Sequence, residues 1–329
     1  MLIDSFKRPI DYLRLSLTDR CDLRCVYCMS ERMRFEPRDR VLSLEEMERT
    51  CAAFVRLGVR RIRLTGGEPL VRRNAMQLIR TLGNWVAQGQ LAEVTLTTNG
   101  TRLHETAGEL AAAGIRRVNL SLDTLDPERF TTLTRLGRLD GVLAGVAAAK
   151  AAGLRLRINS VAMRGVTDHG ADDLVRWCGA HGFDLCFIEL MPLGEGRVNQ
   201  ATLRLPLDEL RERLARRWTL ADIDHRSAGP ARYVRVAETG GRLGFISPEG
   251  HGFCHECNRV RLSCTGVLYP CLGRDLACDL RALLRSGMDD DALDHALARG
   301  IALKPLSHAF ADPCDSGAIP IRPMSVTGG

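Results

Sequence analysis

Cysteine gives this chain its first chemical signature. In "CDLRCVYC", residues 21 to 28, Cys21, Cys25 and Cys28 stand in a C-x3-C-x2-C spacing. Farther on, "FCHECNRVRLSCTGVLYPCL" sets Cys254, Cys257 and Cys271 as C-x2-C-x13-C. A structural zinc ion wants four ligands, and so does a cluster held only to pass electrons. Each run offers three. Three thiolates on an iron–sulfur cubane leave one iron open to a small molecule. For the second run a zinc ribbon remains a rival, because Cys264 or Cys278 could complete four ligands.

The chain has 12 cysteines, and its start, "MLIDSFKRPIDYLRLSL", lacks the apolar core of a signal peptide. The expected setting is the reducing cytoplasm, where clustered cysteines mean metal rather than disulfides.

Other residues suited to chemistry are spread along the chain. In "TGGEP" (65–69), Gly66 and Gly67 would let the backbone approach a ligand, while Glu68 could accept from an amino group. In "NRVRLS", Arg259, Arg261 and Ser263 alternate and so share one face of a strand. Arg14, Arg63 and Arg157 also fall inside strand-like runs, and charges turned into a core demand partners. The net charge is +6, with arginines scattered rather than gathered in a stripe, which argues against a nucleic-acid surface. No stretch approaches the ~18 apolar residues of a membrane span.

Six strand candidates must position these groups: 12–17, 60–66, 93–98, 116–122, 154–161 and 184–190. Helical runs separate them, including 43–58, opened by a capping box of Ser43 and Glu46, and 140–153, closed by Gly153. Serial βα units imply a parallel sheet with its chemistry at the C-terminal strand ends. The pattern changes near 195–205. A helix at 207–218 is followed by hairpin-like runs at 231–236, 243–248, 259–264 and 267–272, then by two helical stretches. Two regions are expected: residues 1–200, and residues 201–329 carrying the second triad and a Gly-Gly tail.

With Tyr27 just before its last cysteine, the first triad resembles the signature of the radical S-adenosylmethionine (SAM) enzymes. The resemblance implies an α/β fold, a partial (βα)6 TIM-type barrel with a C-terminal α+β extension. It also implies a 4Fe–4S cluster on Cys21, Cys25 and Cys28 whose open iron binds SAM, with Tyr27, Gly66, Gly67, Glu68, Ser121 and Met191 around the cofactor. The second triad with "CNRVRL" is similar to the GTP 3',8-cyclases of molybdenum-cofactor biosynthesis, the MoaA family. So are "IRLTGGEPLVRR", "LTTNG", "VNLSLDTLDP" and the closing "IRPMSVTGG".

For this chain that implies a second 4Fe–4S cluster on Cys254, Cys257 and Cys271. Substrate contacts fall on Arg14, Arg63, Thr97, Arg157, Arg259, Val260 and Arg261, and Gly328 and Gly329 belong to a tail that enters the site. The implied reaction takes hydrogen from C3' of GTP with a deoxyadenosyl radical and joins C3' to C8, giving 3',8-cyclo-7,8-dihydro-GTP. Arg259, Arg261 and the two tail glycines join the first three cysteines in the catalytic set. Implied partners are GTP, an electron donor and the cyclic pyranopterin monophosphate synthase that takes the product. A homodimer is compatible with this, the oligomeric state being left open.

The chain departs from the family pattern at Cys186, where an Arg is common before "FIE". A lost phosphate contact could come instead from Arg61 or Arg164. Cys264, Cys271 and Cys278 fall at intervals of seven, either as buried hydrophobes or with one of them on the free iron. Rival functions are a radical enzyme that modifies peptide or RNA, and a metal-binding or electron-transfer protein without catalysis.

Overall fold

The computed structural model describes residues 1–195, 202–225, 229–247, 253–310 and 322–328. Six βα units open the chain. Their strands are β1 (Tyr12–Ser16), β2 (Arg61–Thr65), β3 (Glu93–Thr98), β4 (Arg117–Ser121), β5 (Arg155–Ala162) and β6 (Asp184–Glu189). They are crossed by α1 (Leu44–Arg56), α2 (Ala75–Ala87), α3 (Leu103–Ala112), α4 (Pro127–Thr134), α5 (Leu139–Ala151) and α6 (Thr167–His181). All six strands run parallel, in sequence order, as the crossover helices require.

Local signals set the helix ends. Ser43 Oγ accepts from the Glu46 N–H at 3.1 Å while Glu46 Oε2 accepts from the Ser43 N–H at 2.7 Å, so the capping box is complete. Beyond α5, Gly153 takes a left-handed φ of 75°.

The remaining elements are α7 (Leu207–Ala215), β7 (Leu220–Asp222), β8 (Arg232–Val236), β9 (Arg242–Ile246), β10 (Arg259–Leu262), β11 (Val267–Tyr269), β12 (Cys278–Asp279), α8 (Arg281–Arg285), α9 (Asp290–Ala302) and α10 (Met324–Thr327). Their strands form two antiparallel groups on opposite edges of the barrel sheet. β9 adds parallel to β6 and carries β8 and β7, whereas β10 adds parallel to β1 and carries β11 and β12. Among the described residues the result is one sheet of 12 strands.

Each barrel strand alternates. Leu13, Leu15, Ile62, Leu64, Val94, Leu96, Val118, Leu120, Leu156, Ile158, Leu185 and Phe187 are all buried in one hydrophobic core that also takes in the crossing helices. On β1 to β5 the other set of positions is largely polar, while β6 there carries Cys186 and Ile188, which gives the sheet a second face unlike the apolar one usual when helices cover both sides. That polar inner face carries the site.

Candidate active site between two cysteine triads

Cys21, Cys25 and Cys28 occupy the loop that leaves the C-terminal end of β1. Three strand ends hold this loop. Asp22 accepts from Asn99 Nδ2 at 2.7 Å and from Thr101 Oγ1 at 2.6 Å, beyond β3. Tyr27 donates to Asp123 Oδ2 at 2.8 Å, just beyond β4, and Asp123 also accepts from the Val161 N–H of β5 at 2.7 Å. The Arg24 and Val26 N–H groups donate to the carbonyls of Thr134 and Leu133 at the end of α4.

The thiols are half-buried and free. Among the described residues no three His, Cys, Asp or Glu side chains converge closely enough to hold a single ion. The three thiols nonetheless repel one another's charge: burial, then Cys28, Asp123 and Cys21, push Cys25 well up. Burial and Asp123 raise Cys28 to about 11. Three soft donors spread around a loop suit a multi-iron cluster, whose positive charge would hold them as thiolates.

Gly66 and Gly67 have a reason the sequence did not disclose. A Cβ at Gly66 would overlap the Thr18 carbonyl, and one at Gly67 the Arg20 carbonyl. The glycines therefore let the turn after β2 pack against the backbone entering the cysteine loop, where the Gly67 and Glu68 N–H groups donate to Thr18 and Arg20 at 2.7 and 2.9 Å. Glu68 is fully buried and accepts from Leu70 N–H, Thr98 Oγ1 and Asn99 N–H at 3.0, 2.8 and 2.7 Å. Any cofactor amino group would have to share an oxygen already engaged. Burial raises this carboxyl to about 7.

The second triad lies at the other end of the same strand pair. Cys257 is two residues before Arg259, which opens β10 opposite Tyr12 at the start of β1. A five-residue strand such as β1 spans roughly 15 Å, so the triads bracket the barrel interior from its two ends. Cys254, Cys257 and Cys271 are half-buried. Their surroundings are cationic where those of the first triad are acidic. Burial raises the Cys257 thiol, but Lys304 and Arg259 bring it below its usual value, and His308 does the same for Cys254. Cys271 stays raised by burial. Arg8, clamped on Asp4 at 2.6 Å, also donates to the Cys254 carbonyl at 2.5 Å.

Between the triads the inner face is lined with arginine. Arg63, Arg157, Arg259 and Arg261 are buried and Arg14 is half-buried. In register, Arg14 pairs with Arg63 on one side and Arg261 on the other. Among the described residues none of Arg14, Arg63, Arg157 or Arg261 makes an ion pair, whereas Arg61 has Asp11 at 2.6 Å and Arg117 has Glu93 at 2.9 Å. Burial, then neighbouring arginines, lower Arg63 to about 10 and Arg261 well below its ordinary value. The Nε atoms of Arg14, Arg63 and Arg157, Thr95 Oγ1, Thr97 Oγ1 and Asn119 Oδ1 are buried without a hydrogen-bond partner. Arg157 donates to the Tyr233 hydroxyl, and Arg259 lies 5.0 Å over the Tyr12 ring and 4.7 Å over that of Phe253.

The tail crosses this space. Arg322 donates to the carbonyls of Cys271, Leu272 and Arg274. The Ser325 backbone then hydrogen-bonds the Cys28 thiol, and Arg261 donates to the Gly328 carbonyl. Gly328 packs so closely on Thr65 that a Cβ would overlap its side chain. Gly329 and Cys314 lie outside the described residues.

Ser121 and Met191 stand half-buried at the ends of β4 and β6. Val260 turns its side chain into the core by strand alternation, opposite to Arg259 and Arg261, which leaves only its backbone for a ligand. Neither proposed substitute for an arginine at 186 is available: Arg61 is tied to Asp11, and Arg164 pairs with Glu209 on the surface at 2.7 Å. Cys186 itself is buried on β6 beside Tyr233 and Ala231. Cys264 faces the core, and Cys278 packs on Gly300 of α9, so neither joins the thiols of the second triad. Sequence reasoning missed Asp22, Asn99, Asp123, Tyr233 and Lys304, which have no local spacing to betray them.

The Radical SAM superfamily matches residues 15–178, and Molybdenum Cofactor Synthesis C matches residues 183–310. The chain is 53% identical over 329 residues to the GTP 3',8-cyclase of Rhizobium etli (strain CIAT 652), covering 100% of this chain and 94% of that protein. The same identity and coverage hold for that of Rhizobium meliloti (strain 1021), and identity is 50% for that of Brucella canis, with 100% and 96% covered. Among solved structures, Streptococcus suis SuiB bound to its precursor peptide SuiA has the same fold, at TM-score 0.62 and 17% identity over 91% of this chain and 66% of that one. Among the described residues no helix is long and apolar enough to cross a membrane. The chain belongs to the GTP 3',8-cyclase family of radical SAM enzymes.

Proposed function

We propose that this chain converts GTP to 3',8-cyclo-7,8-dihydro-GTP, with SAM and one 4Fe–4S cluster at Cys21, Cys25 and Cys28 and a second cluster at Cys254, Cys257 and Cys271. The observation that carries this reading is the set of inward-facing arginines on the face between the triads, Arg63, Arg157 and Arg261 buried and Arg14 half-buried, with no carboxylate partner among the described residues. Buried cations need anions, and a triphosphate supplies them in the number required.

When bound at the first triad, the cluster and SAM supply a hydrogen-abstracting radical that no side chain can generate. The protein's part is to position. Asp22 and Tyr27 fix the cysteine loop on the ends of β3 and β4, while Ser121, Met191 and the turn at Gly66 and Gly67 border the space for the cofactor. Arg14, Arg63 and Arg157 grip phosphate oxygens, with Thr97 Oγ1 free to donate to the nucleotide. Arg259 and Arg261 turn towards the middle of the barrel from the second triad, where guanine would sit with its edge near the cysteines. The tail closes the space against water, its Gly328 carbonyl on Arg261. Substrate must displace or share that contact. On this reading the enzyme works in the cytoplasm with an external electron donor, and passes its product to a separate synthase.

The test is anaerobic turnover of reconstituted protein with SAM, dithionite and GTP deuterated at C3'. Deuterium in 5'-deoxyadenosine together with a cyclised GTP isomer is expected. SAM cleavage without deuterium transfer would overturn GTP as the substrate.

A further inference from the structure

Only three of the 46 Lys and Arg residues are lysines: Lys7, Lys150 and Lys304. Lys7 and Lys150 are exposed, while Lys304, just after α9, is 2% exposed. Its Nζ donates to Cys257 Sγ at 3.3 Å, to the Arg259 carbonyl at 2.8 Å and to the Pro270 carbonyl at 2.7 Å. An ammonium has three N–H bonds, and these acceptors take all three. No carboxylate among the described residues pairs with it, so the anion that balances this buried charge is the Cys257 sulfur.

We propose that Lys304 is a positioning residue for the second cluster, one that fixes two of its ligands and raises its reduction potential. The inference rests on the reading that Cys254, Cys257 and Cys271 hold a cluster. Pro270 immediately precedes Cys271, so one ammonium ties the second ligand to the approach of the third. Hydrogen bonds and positive charge at a ligand sulfur stabilise the reduced cluster. Among the described residues no lysine or arginine donates to a sulfur of the first triad, where Arg24 reaches the Cys21 carbonyl, and the neighbours Asp22, Glu68 and Asp123 are acids. The two clusters are thereby poised apart, the second at the higher potential.

A chain so rich in arginine keeps lysine here for a geometric reason. The acceptors surround a point, which three rotatable N–H bonds can meet and a planar guanidinium cannot.

The experiment uses the full chain carrying Cys21→Ala, Cys25→Ala and Cys28→Ala, so that iron reports on the second triad alone. Lys7→Arg and Lys150→Arg leave Lys304 the single lysine. With lysine labelled with 15N at Nζ, pulsed EPR of the reduced cluster is expected to show a 15N coupling. Lys304→Gln is expected to lower the midpoint potential and to lose iron to a chelator about 10- to 100-fold faster. A cluster with no 15N coupling, or an unchanged potential in Lys304→Gln, overturns the inference while the second cluster stands. Failure of the triple-cysteine variant to take up iron overturns the second cluster itself, and the inference with it. The labelled protein needs no substitution at Lys304, so the question stays answerable if Lys304→Gln does not fold.

Discussion

Arg14 of β1 lies directly across from Arg63 of β2 in the sheet register, and both guanidinium groups turn to the inner face. Two like charges there destabilise the empty protein and wait for an anion. In Arg63→Met the ligand-free protein is expected to melt at a higher temperature, while GTP affinity falls about 10- to 150-fold, the loss of one charge-assisted contact worth roughly 1.5–3 kcal/mol. Thermal unfolding and titration calorimetry measure the two effects, and unchanged affinity would place the triphosphate elsewhere.

Glu68 predicts a pH dependence of unusual sign. Its carboxyl holds a proton up to about pH 7 in the folded chain, against 4.5 for an ordinary glutamate, because burial disfavours the charge. Between those values the native state binds more protons than the unfolded one, so stability falls as pH rises and levels off above 7. The decline is at most about 3 kcal/mol. Urea unfolding of cluster-free protein at pH 5 and pH 8 should show this loss in the wild type and not in Glu68→Gln, which has nothing to titrate. Glu68→Gln keeps one accepting oxygen for the Leu70 N–H and Thr98 hydroxyl but turns an NH2 group, which cannot accept, to the Asn99 N–H, and starts about 1–3 kcal/mol less stable.

Gly67→Ala should act on the first triad from outside it. The new methyl overlaps the Arg20 carbonyl, so either the turn or the cysteine loop must move. The expected result is a cost of about 1–3 kcal/mol together with iron lost at Cys21, Cys25 and Cys28 but kept at the second triad. Iron analysis in backgrounds lacking one triad or the other separates the two, and equal retention at both would refute the coupling.

Cys264 and Cys278 should be dispensable for metal. Burial pushes the Cys264 thiol up to about 12, the mark of a small buried hydrophobe, and Cys278 rests on α9. The double change to alanine is expected to leave iron and sulfide content unchanged, with a stability loss of about 1 kcal/mol from the cavities. Loss of half the iron would return a fourth ligand to the second site.

Local physics explains what could be read in advance. β-rich runs between helical stretches announced every barrel strand and placed Arg14, Arg63 and Arg157 within them, alternation put Arg259 and Arg261 on one face, and the hydroxyl and carboxylate of Ser43 and Glu46 marked the start of α1. What alternation could not say is which edge a strand joins. The hairpins of β8–β9 and β10–β11 look alike as text, yet one completes β6 and the other β1. Gly66 and Gly67 were legible as a turn, but their reason is the distant backbone of Thr18 and Arg20, which enters the cysteine loop. Lys304 had no signal at all, because its three acceptors come from the start of one strand, β10, and from two loop positions, Cys257 and Pro270.

The pairing of β10 with β1 also orders the birth of the protein. A ribosome releases β1 long before residue 259, so the outer edge of β1 stays bare while all six βα units emerge and begin to fold. An open edge is a template for wrong partners, and this one belongs to the strand that leads into the first cysteine triad. A chain cut short before β10 keeps the first triad but never closes that edge, and without Cys271 it cannot complete the second triad.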